Sequence, residues 1–144
     1  MGESKDKVTE NLLFFIWGIS VVATAGSLFY SEVMGYTPCM LCWVQRIFMY
    51  PLILIYGTAI WKRDTMIALP GLMLSGIGML VSIYHYLVQN LPALQEAGEG
   101  CGPVACNLKY VNYFGFVTIP FLAGTAFILI FFAHVMILKQ QKEK

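Results

Sequence analysis

The sequence predicts an all-α integral membrane protein, a single domain of residues 1–144 folded as a bundle of four transmembrane helices. Hydrophobic residues make up 58% of the chain and charged residues 12%, which is about half the charged fraction of a soluble domain. Four apolar runs contain no Asp, Glu or Lys, and each approaches the ~20 residues that cross a bilayer. They are residues 12–30, 43–61, 66–88 and 118–138. Because a bilayer offers no water to backbone groups, each run is expected to be helical.

The first run could instead be a signal peptide, since Ala23-Thr24-Ala25 resembles a cleavage site. The segment before the run carries both signs of charge, in Glu3, Lys5, Asp6, Lys7 and Glu10. A signal peptide begins with a positive segment, and this apolar run continues past the cleavage-like site to Tyr30. The run is therefore expected to be a retained membrane helix.

The basic residues predict the orientation of the bundle. Four spans place both termini on one side, together with residues 62–65. That side carries Lys5, Lys7, Lys62, Arg63, Lys139, Lys142 and Lys144, and the other side carries Arg46 and Lys109. This bias predicts cytoplasmic termini. Aromatic residues typical of an interface lie near the outer ends of the spans: Tyr30, Tyr36, Trp43, Tyr84 and Tyr86.

All four cysteines fall on the side predicted to face outward, in or next to residues 31–38 and 89–117. They are Cys39, Cys42, Cys101 and Cys106. Disulfides persist outside the cytoplasm, so the lysine bias and the cysteine positions agree. With a net charge of +1, no long basic surface indicates binding to nucleic acid.

The stretch TPCMLCWVQR, residues 37–46, places two thiols and a cation at the start of the second run. Thr37 is the expected N-cap and Pro38 the expected first helical residue. Cys39 and Cys42 then lie in the first turn, where the helix dipole and the Cys-x-x-Cys spacing favour a reactive thiolate. Arg46 is four residues beyond Cys42 and so lies on the same face. It can attract that thiolate or an oxyanion of a bound ligand.

A structural alternative exists for each of these residues. Arg46 could snorkel to the interface, and Cys39 and Cys42 could form a staple. A disulfide that encloses two residues stabilises a helix very little by loop entropy, so such close pairs are more often chemical than structural.

The third run carries small residues at spacings of four and three, which trace one helix face: Gly71, Ser75, Gly78 and Ser82, followed by His85. Small residues allow close approach of membrane helices, so His85 is expected to point into the bundle. An ionisable residue there is a functional candidate, although a hydrogen bond to a neighbouring hydroxyl or carbonyl would also explain it. His134 is expected at the cytoplasmic interface.

Residues 89–117 form a long connection, and long ordered loops are usually functional. Residues 91–100 are expected to form a short helix on the membrane surface, ended by Gly98 and Gly100. In CGPVAC, residues 101–106, Gly102-Pro103 favours a turn, so Cys101 and Cys106 can pair. An exposed, mobile pair suits exchange with a protein partner, and the alternative is a loop staple.

Four cysteines also raise the possibility of zinc. Structural zinc usually takes two tight cysteine pairs on a small folded knuckle. Here one pair lies at a helix start in the membrane edge, and zinc gives no reason for Arg46. No metal is expected.

These features together resemble the bacterial DsbB family: four spans, an outward C-x-x-C that opens the second span, an arginine four residues later, and a second cysteine pair in the last outer loop. PCMLCWVQR is the most specific stretch, and the resemblance covers essentially the whole chain. The short C-x₄-C spacing of Cys101 and Cys106 is similar to the BdbC-type members of Gram-positive bacteria, since the Gram-negative branch spaces this pair more widely.

The resemblance implies a thiol:quinone oxidoreductase in the bacterial cytoplasmic membrane, with its cysteines on the extracytoplasmic side. Such a protein reoxidises a thioredoxin-like thiol oxidase of the DsbA or BdbD type and passes the electrons to menaquinone or ubiquinone of the bilayer. By this resemblance the partner attacks Cys101, Cys106 exchanges with Cys39, and Cys42 reacts with quinone beside Arg46, with His85 as a further candidate beside the ring.

Two alternatives remain open. The vitamin K epoxide reductase family also surrounds a quinone-sized site with four helices, but its loop cysteines precede the C-x-x-C, and here the order is reversed. A four-helix binding or transport protein with structural disulfides is the non-enzymatic alternative. Transport favours ionisable residues near the middle of the bilayer, and the four runs show none there.

Overall fold

The computed structural model describes residues 2–100 and 102–143, and it has four helices long and apolar enough to cross a membrane. These spans are Gly2–Val33, Met40–Lys62, Thr65–Asn90 and Ile119–Lys142. The α-helices are α1 (Gly2–Leu28), α2 (Met40–Lys62), α3 (Leu69–Asn90), α4 (Pro92–Glu99) and α5 (Ile119–Lys142). Within residues 2–100 and 102–143 the chain forms no strand. The β-type pairing there is an isolated bridge between Tyr113 and Val117. The predicted all-α membrane fold is confirmed.

The first helix begins ten residues before the predicted start of the first span. Residues 2–11 are polar apart from Gly2 and Val8. Hydropathy indicates where an apolar membrane segment starts, but not where the helix that contains it starts. An i,i+4 ion pair between Glu3 and Lys7, at 3.3 Å, supports this extension. The helix therefore continues past its apolar part into a charged end.

The four long helices form a ring in which α1 packs on α2, α2 on α3, α3 on α5, and α5 on α1. The core between them contains fully buried Ile16, Leu52, Tyr56, Phe127 and Ile130. Because the diagonal pair α2 and α5 touches far less, the ring leaves room for a cavity near one end.

The small-residue face of α3 is confirmed, because Gly71, Ser75, Gly78, Ser82 and His85 are all buried. A Cβ at Gly71 would lie 2.8 Å from the Tyr56 ring, and a Cβ at Gly78 would overlap the Phe127 ring. The two glycines thus admit aromatic rings from α2 and α5. The close packing carries His85 into the interior.

The predicted start of the second helix is wrong by two residues. Cys39, with φ −76° and ψ 175°, is the N-cap, and Met40 is the first helical residue. Thr37 and Pro38 instead belong to a non-helical segment that follows Tyr36, whose ring stacks on Tyr110 with centroids 5.0 Å apart. This tertiary contact accounts for the later start of the helix.

The prediction that His134 is interfacial is also wrong. His134 is buried inside the bundle, and its Nδ1 lies 2.6 Å from the Tyr56 hydroxyl. The bundle stays packed at this level, so the histidine joins α5 to α2 and does not reach the surface.

The short helix predicted within residues 91–100 is present as α4, Pro92–Glu99. Gly100 follows its last residue, but Gly98 does not end it. A Cβ at Gly98 would lie 2.6 Å from Val88 Cγ1 and 3.1 Å from Asn107. Gly98 is therefore the point where α4 and the following loop pack closely on α3.

Candidate functional site

Two thiols and one imidazole meet where α2 begins and α3 ends. The Cys39 thiol donates to Cys42 Sγ at 3.3 Å, and His85 Nε2 lies 3.7 Å from Cys39 Sγ. Both cysteines are free thiols, Cys39 is buried, and Cys42 is half-buried. The site predicted around the C-x-x-C pair therefore includes His85.

Local structure explains this convergence. Cys39 is the N-cap of α2 and Cys42 lies three residues on, so the first turn brings the sulfurs onto one side. The small-residue face of α3 allows the close approach of α2, and His85 continues that face near the C-terminal end of the helix. The packing of the two helices thus places the His85 imidazole next to the two thiols.

The surroundings of Cys39 hold it in the protonated form. Its hydrogen bond to Cys42, together with burial, raises the pKa of the Cys39 thiol to about 12. Cys39 therefore keeps its proton near neutral pH and donates it towards Cys42. In this arrangement Cys42 is the sulfur whose negative charge is supported.

Cys106 lies against this pair rather than in solvent. It is 1% exposed and clusters with Cys39 and Val88. Its backbone N–H donates to Gly98 O at 2.9 Å, and its carbonyl lies 3.2 Å from His85 Nε2. The prediction of an exposed, mobile pair is wrong for Cys106, because hydrogen bonds fold the loop back onto α3. Cys101 lies outside the described residues.

The groups around His85 indicate which of its ring nitrogens carries the hydrogen. The Cys106 carbonyl can only accept, so Nε2 carries the hydrogen and donates to it. Nδ1 then holds a lone pair, is buried and has no hydrogen-bond partner in the described chain. The Cys39, Cys42 and His85 ligand atoms lie within 4.8 Å of one another. With the Nε2 hydrogen directed to the Cys106 carbonyl, the arrangement is that of a hydrogen-bonded thiol site.

Arg46 is held at the same end of the bundle by α1. Its Nε donates to Ser27 Oγ at 2.9 Å, its Nη2 donates to Ser27 O at 3.0 Å, and its guanidinium lies 5.1 Å from the Trp43 ring centroid. These contacts fix the cation in the wall of the cavity that Cys42 also lines. The Ser27 contact was not predicted, because nothing in the pattern of the first run singles out that serine.

A cavity of about 710 Å³ opens next to these residues. Its walls come from α1, α2, α3, α5 and the loop before α5, and most of the lining side chains are apolar. Its polar side chains include Cys42, Arg46, His85 and Gln89. The sulfur pair is thus in contact with an apolar space that reaches into the membrane domain.

Gln89 is a site residue that the sequence analysis missed. Its Nε2 donates to Leu108 O at 3.0 Å, while its Oε1 is buried and has no hydrogen-bond partner among the described residues. The available signal was its position four residues after His85, which continues the same helix face as far as the loop.

The chain was compared with known proteins. The sequence model of the family "Disulfide bond formation protein DsbB" matches residues 9–138. The chain is 61% identical to the "Probable disulfide formation protein" of Oceanobacillus iheyensis, over 96% of each chain. It is 43% identical to the "Disulfide bond formation protein C" of Bacillus subtilis, over 92% of this chain and 95% of the relative. No solved structure matches.

Proposed function

Because the chain belongs to the DsbB family of disulfide bond formation proteins, we propose that it is a thiol:quinone oxidoreductase. It reoxidises an extracytoplasmic thioredoxin-like dithiol oxidase, of the DsbA or BdbD type, and passes the electrons to a membrane quinone. One observation carries this proposal: the Cys39–Cys42 pair touches Cys106 on one side and an apolar cavity on the other. Such a pair can receive electrons from the loop and deliver them into the bilayer.

The overall reaction balances without a metal. The partner's two thiols lose two electrons and two protons and become a disulfide. A bound quinone supplies the acceptor, takes two electrons and two protons, and leaves as a quinol. The protein ends each cycle with its cysteines as they began.

The partner protein reacts first with the two loop cysteines. A partner thiolate attacks Cys101 Sγ in a Cys101–Cys106 disulfide, which releases Cys106 as a thiolate. A second partner thiolate then resolves the mixed disulfide and leaves Cys101 reduced. Burial of Cys106 supports this order, because a bulky partner does not easily reach a buried sulfur.

The next exchange takes place at the Cys39–Cys42 pair. Cys106 attacks Cys39 Sγ in the oxidised Cys39–Cys42 pair, which breaks that bond and releases Cys42 as a thiolate. The packing of Cys106 against Cys39 supports this step. Cys101 then attacks Cys106 Sγ in the Cys39–Cys106 disulfide, which restores the loop disulfide and releases Cys39 as a thiolate. Cys39 and Cys42 are now both reduced. Cys42, at the cavity wall, is the electron donor to the quinone, and the Cys39–Cys42 disulfide closes as two electrons and two protons pass to the quinone.

The cavity fits a quinone. Its volume of about 710 Å³ is typical of small-molecule sites, and its apolar lining suits a ring with a lipid tail. Buried polar groups normally have partners, yet His85 Nδ1 and Gln89 Oε1, both from cavity-lining residues, have none among the described residues. Both atoms accept hydrogen bonds, so they match the hydroxyl groups of the reduced product.

Arg46 and His85 both line the cavity and support the electron transfer in different ways. The guanidinium of Arg46 is held by Ser27, and a fixed cation stabilises negative charge that develops on a ligand oxygen. His85 holds its proton at Nε2 towards Cys106 O and offers Nδ1 to a hydroxyl in the cavity.

The test uses the purified protein and a reduced thioredoxin-like partner. Thiols are counted with a colorimetric reagent, with and without added quinone, after bound lipid has been removed. We expect the partner's thiols to disappear only with quinone, one quinol forming for each disulfide. Equal thiol counts in both samples would support a structural role for the cysteines. A Cys42→Ser variant is the matched control and should form no quinol.

A further inference from the structure

The loop before α5 carries an aromatic turn, residues 113–116, with the sequence Tyr-Phe-Gly-Phe. Tyr113 and Val117 exchange two backbone hydrogen bonds, both at 2.9 Å, and Phe116 N–H donates to Tyr113 O at 3.3 Å. The two residues at the tip, Phe114 and Gly115, have φ values of +55° and +84°. This is the sign pattern of a type I′ turn.

Phe114 is an unexpected residue for this position. Turns of this sign pattern favour Gly, Asn and Asp, because other side chains are strained at positive φ. Phe114 is also 92% exposed. A strained backbone and a bare aromatic ring both cost free energy in water, and strain of this kind is often associated with a functional contact.

Contacts of Phe116 with α5 and α3 fix the position of the turn on the bundle. The Phe116 ring packs edge-on against Phe121, with centroids 5.7 Å apart, and Tyr86 Oη donates to Phe116 O at 3.3 Å. Phe121 is in the first turn of α5 and Tyr86 is one turn before the end of α3. The turn therefore lies beside the ends of two of the helices that are long and apolar enough to cross a membrane.

The charges around the turn favour lipid as its partner. Residues 110–133 contain no Asp, Glu, Lys, Arg or His, so the apolar character of the last span extends outward through the turn. The preceding charge, Lys109, donates to Asn90 at 2.8 Å. A docking site for a soluble protein usually has a polar rim, whereas aromatic rings without charges are typical of the membrane interface.

We propose that the aromatic turn inserts the Phe114 ring into the lipid interface at the cysteine-bearing end of the bundle. The ring then anchors the end of the outer loop to the bilayer. Transfer of the ring out of water offsets the cost of its positive φ. This inference depends on the membrane location of the chain and not on the proposed redox activity.

The test places the photoreactive residue p-benzoylphenylalanine at position 114 of the full chain in native membranes. Position 99 is the control, because Glu99 is exposed at the end of α4. After irradiation, we expect lipid adducts by mass spectrometry from position 114 and few from position 99. Protein adducts in place of lipid, or equal lipid yields at the two positions, would overturn the proposal.

A second measurement does not depend on photochemistry. Phe114→Trp and Glu99→Trp variants are reconstituted in vesicles whose lipids are brominated near the headgroup, and the emission of the parent protein is subtracted. We expect a larger loss of emission at position 114 than at position 99. Equal quenching would mean that the ring lies in water and would contradict the anchor.

Discussion

Cys39 and Cys42 belong to one motif, but their surroundings make them different thiols. Cys39 is the buried N-cap residue and donates its hydrogen to Cys42, whereas Cys42 lies one turn into α2 and faces the cavity with Arg46. A thiolate is the reactive form of cysteine. In the proposed mechanism Cys42 is therefore the nucleophile, and Cys39 is the sulfur that exchanges with the loop.

This difference predicts a pH dependence for Cys39. Because its pKa is raised to about 12, the thiolate fraction near neutral pH is very small and grows as the pH rises. In the reduced protein, we expect alkylation of Cys39 by a small reagent to accelerate steadily between pH 7 and pH 11, as measured by mass spectrometry. Cys42→Ala removes the largest cause of the shift and should move this rise to lower pH. A Cys39 rate that levels off near pH 8 in the parent protein would contradict the assignment.

At the scale of elements, the C-terminal end of α3 holds the loop through hydrogen bonds to loop carbonyls. His85 Nε2 donates to Cys106 O, and Gln89 Nε2 donates to Leu108 O. Together with the contact of Gly98 on Val88, these bonds keep Cys106 beside Cys39. The loop is therefore a docked element whose position depends on α3.

Gln89→Met should loosen that docking, since methionine keeps the length of the side chain and loses the donor. We expect the exchange between Cys106 and Cys39 to slow about tenfold, the effect of losing roughly 1.4 kcal/mol of hydrogen bonding. Rapid quenching with acid and mapping of the disulfides would measure this rate. Asn90→Ala is the matched control, because Asn90 is exposed and its side chain bonds the Lys109 side chain and the Tyr86 carbonyl, not a carbonyl of the loop. Equal slowing by both variants would contradict a specific role for Gln89.

The glycines of α3 allow a test of helix packing. Gly78→Ala should destabilise the bundle by about 1–3 kcal/mol, because the new Cβ overlaps the Phe127 ring. Gly76→Ala is the control, since its Cβ would meet only the edge of the Phe131 ring at 3.4 Å. Thermal unfolding in detergent should show a lower Tm for Gly78→Ala alone. The same Tm for both variants would mean that α3 and α5 can separate without cost.

Helical periodicity explains which of these features could be predicted. The buried face of α3 follows from spacings of four and three in the sequence, and His85 was found because it continues that face. The burial of Cys106 and the role of Gln89 depend on contacts between distant parts of the chain, which local patterns do not encode. The start of α2 at Met40 depends in the same way on the stacking of Tyr36 on Tyr110.

At the scale of the whole molecule, the proposed activity requires the thiol site to face away from the cytoplasm. Single cysteines placed in a cysteine-free variant test this orientation, with Glu99→Cys at the thiol end and Arg63→Cys in the turn between α2 and α3. Both positions are exposed. We expect a membrane-impermeant maleimide to label Glu99→Cys in intact cells and Arg63→Cys only in broken cells. The reverse pattern would contradict the positive-inside assignment.

The central claim is that electrons leave the protein from Cys42 to a quinone in the cavity. The most direct measurement is the visible absorption spectrum of a Cys39→Ser variant loaded with quinone, in which Cys42 has lost its disulfide partner. We predict a charge-transfer band from a Cys42 thiolate beside the ring, and a weaker band when Arg46→Ala removes the nearby cation. The absence of any such band in fully loaded Cys39→Ser protein would contradict the claim and place the exit of electrons elsewhere.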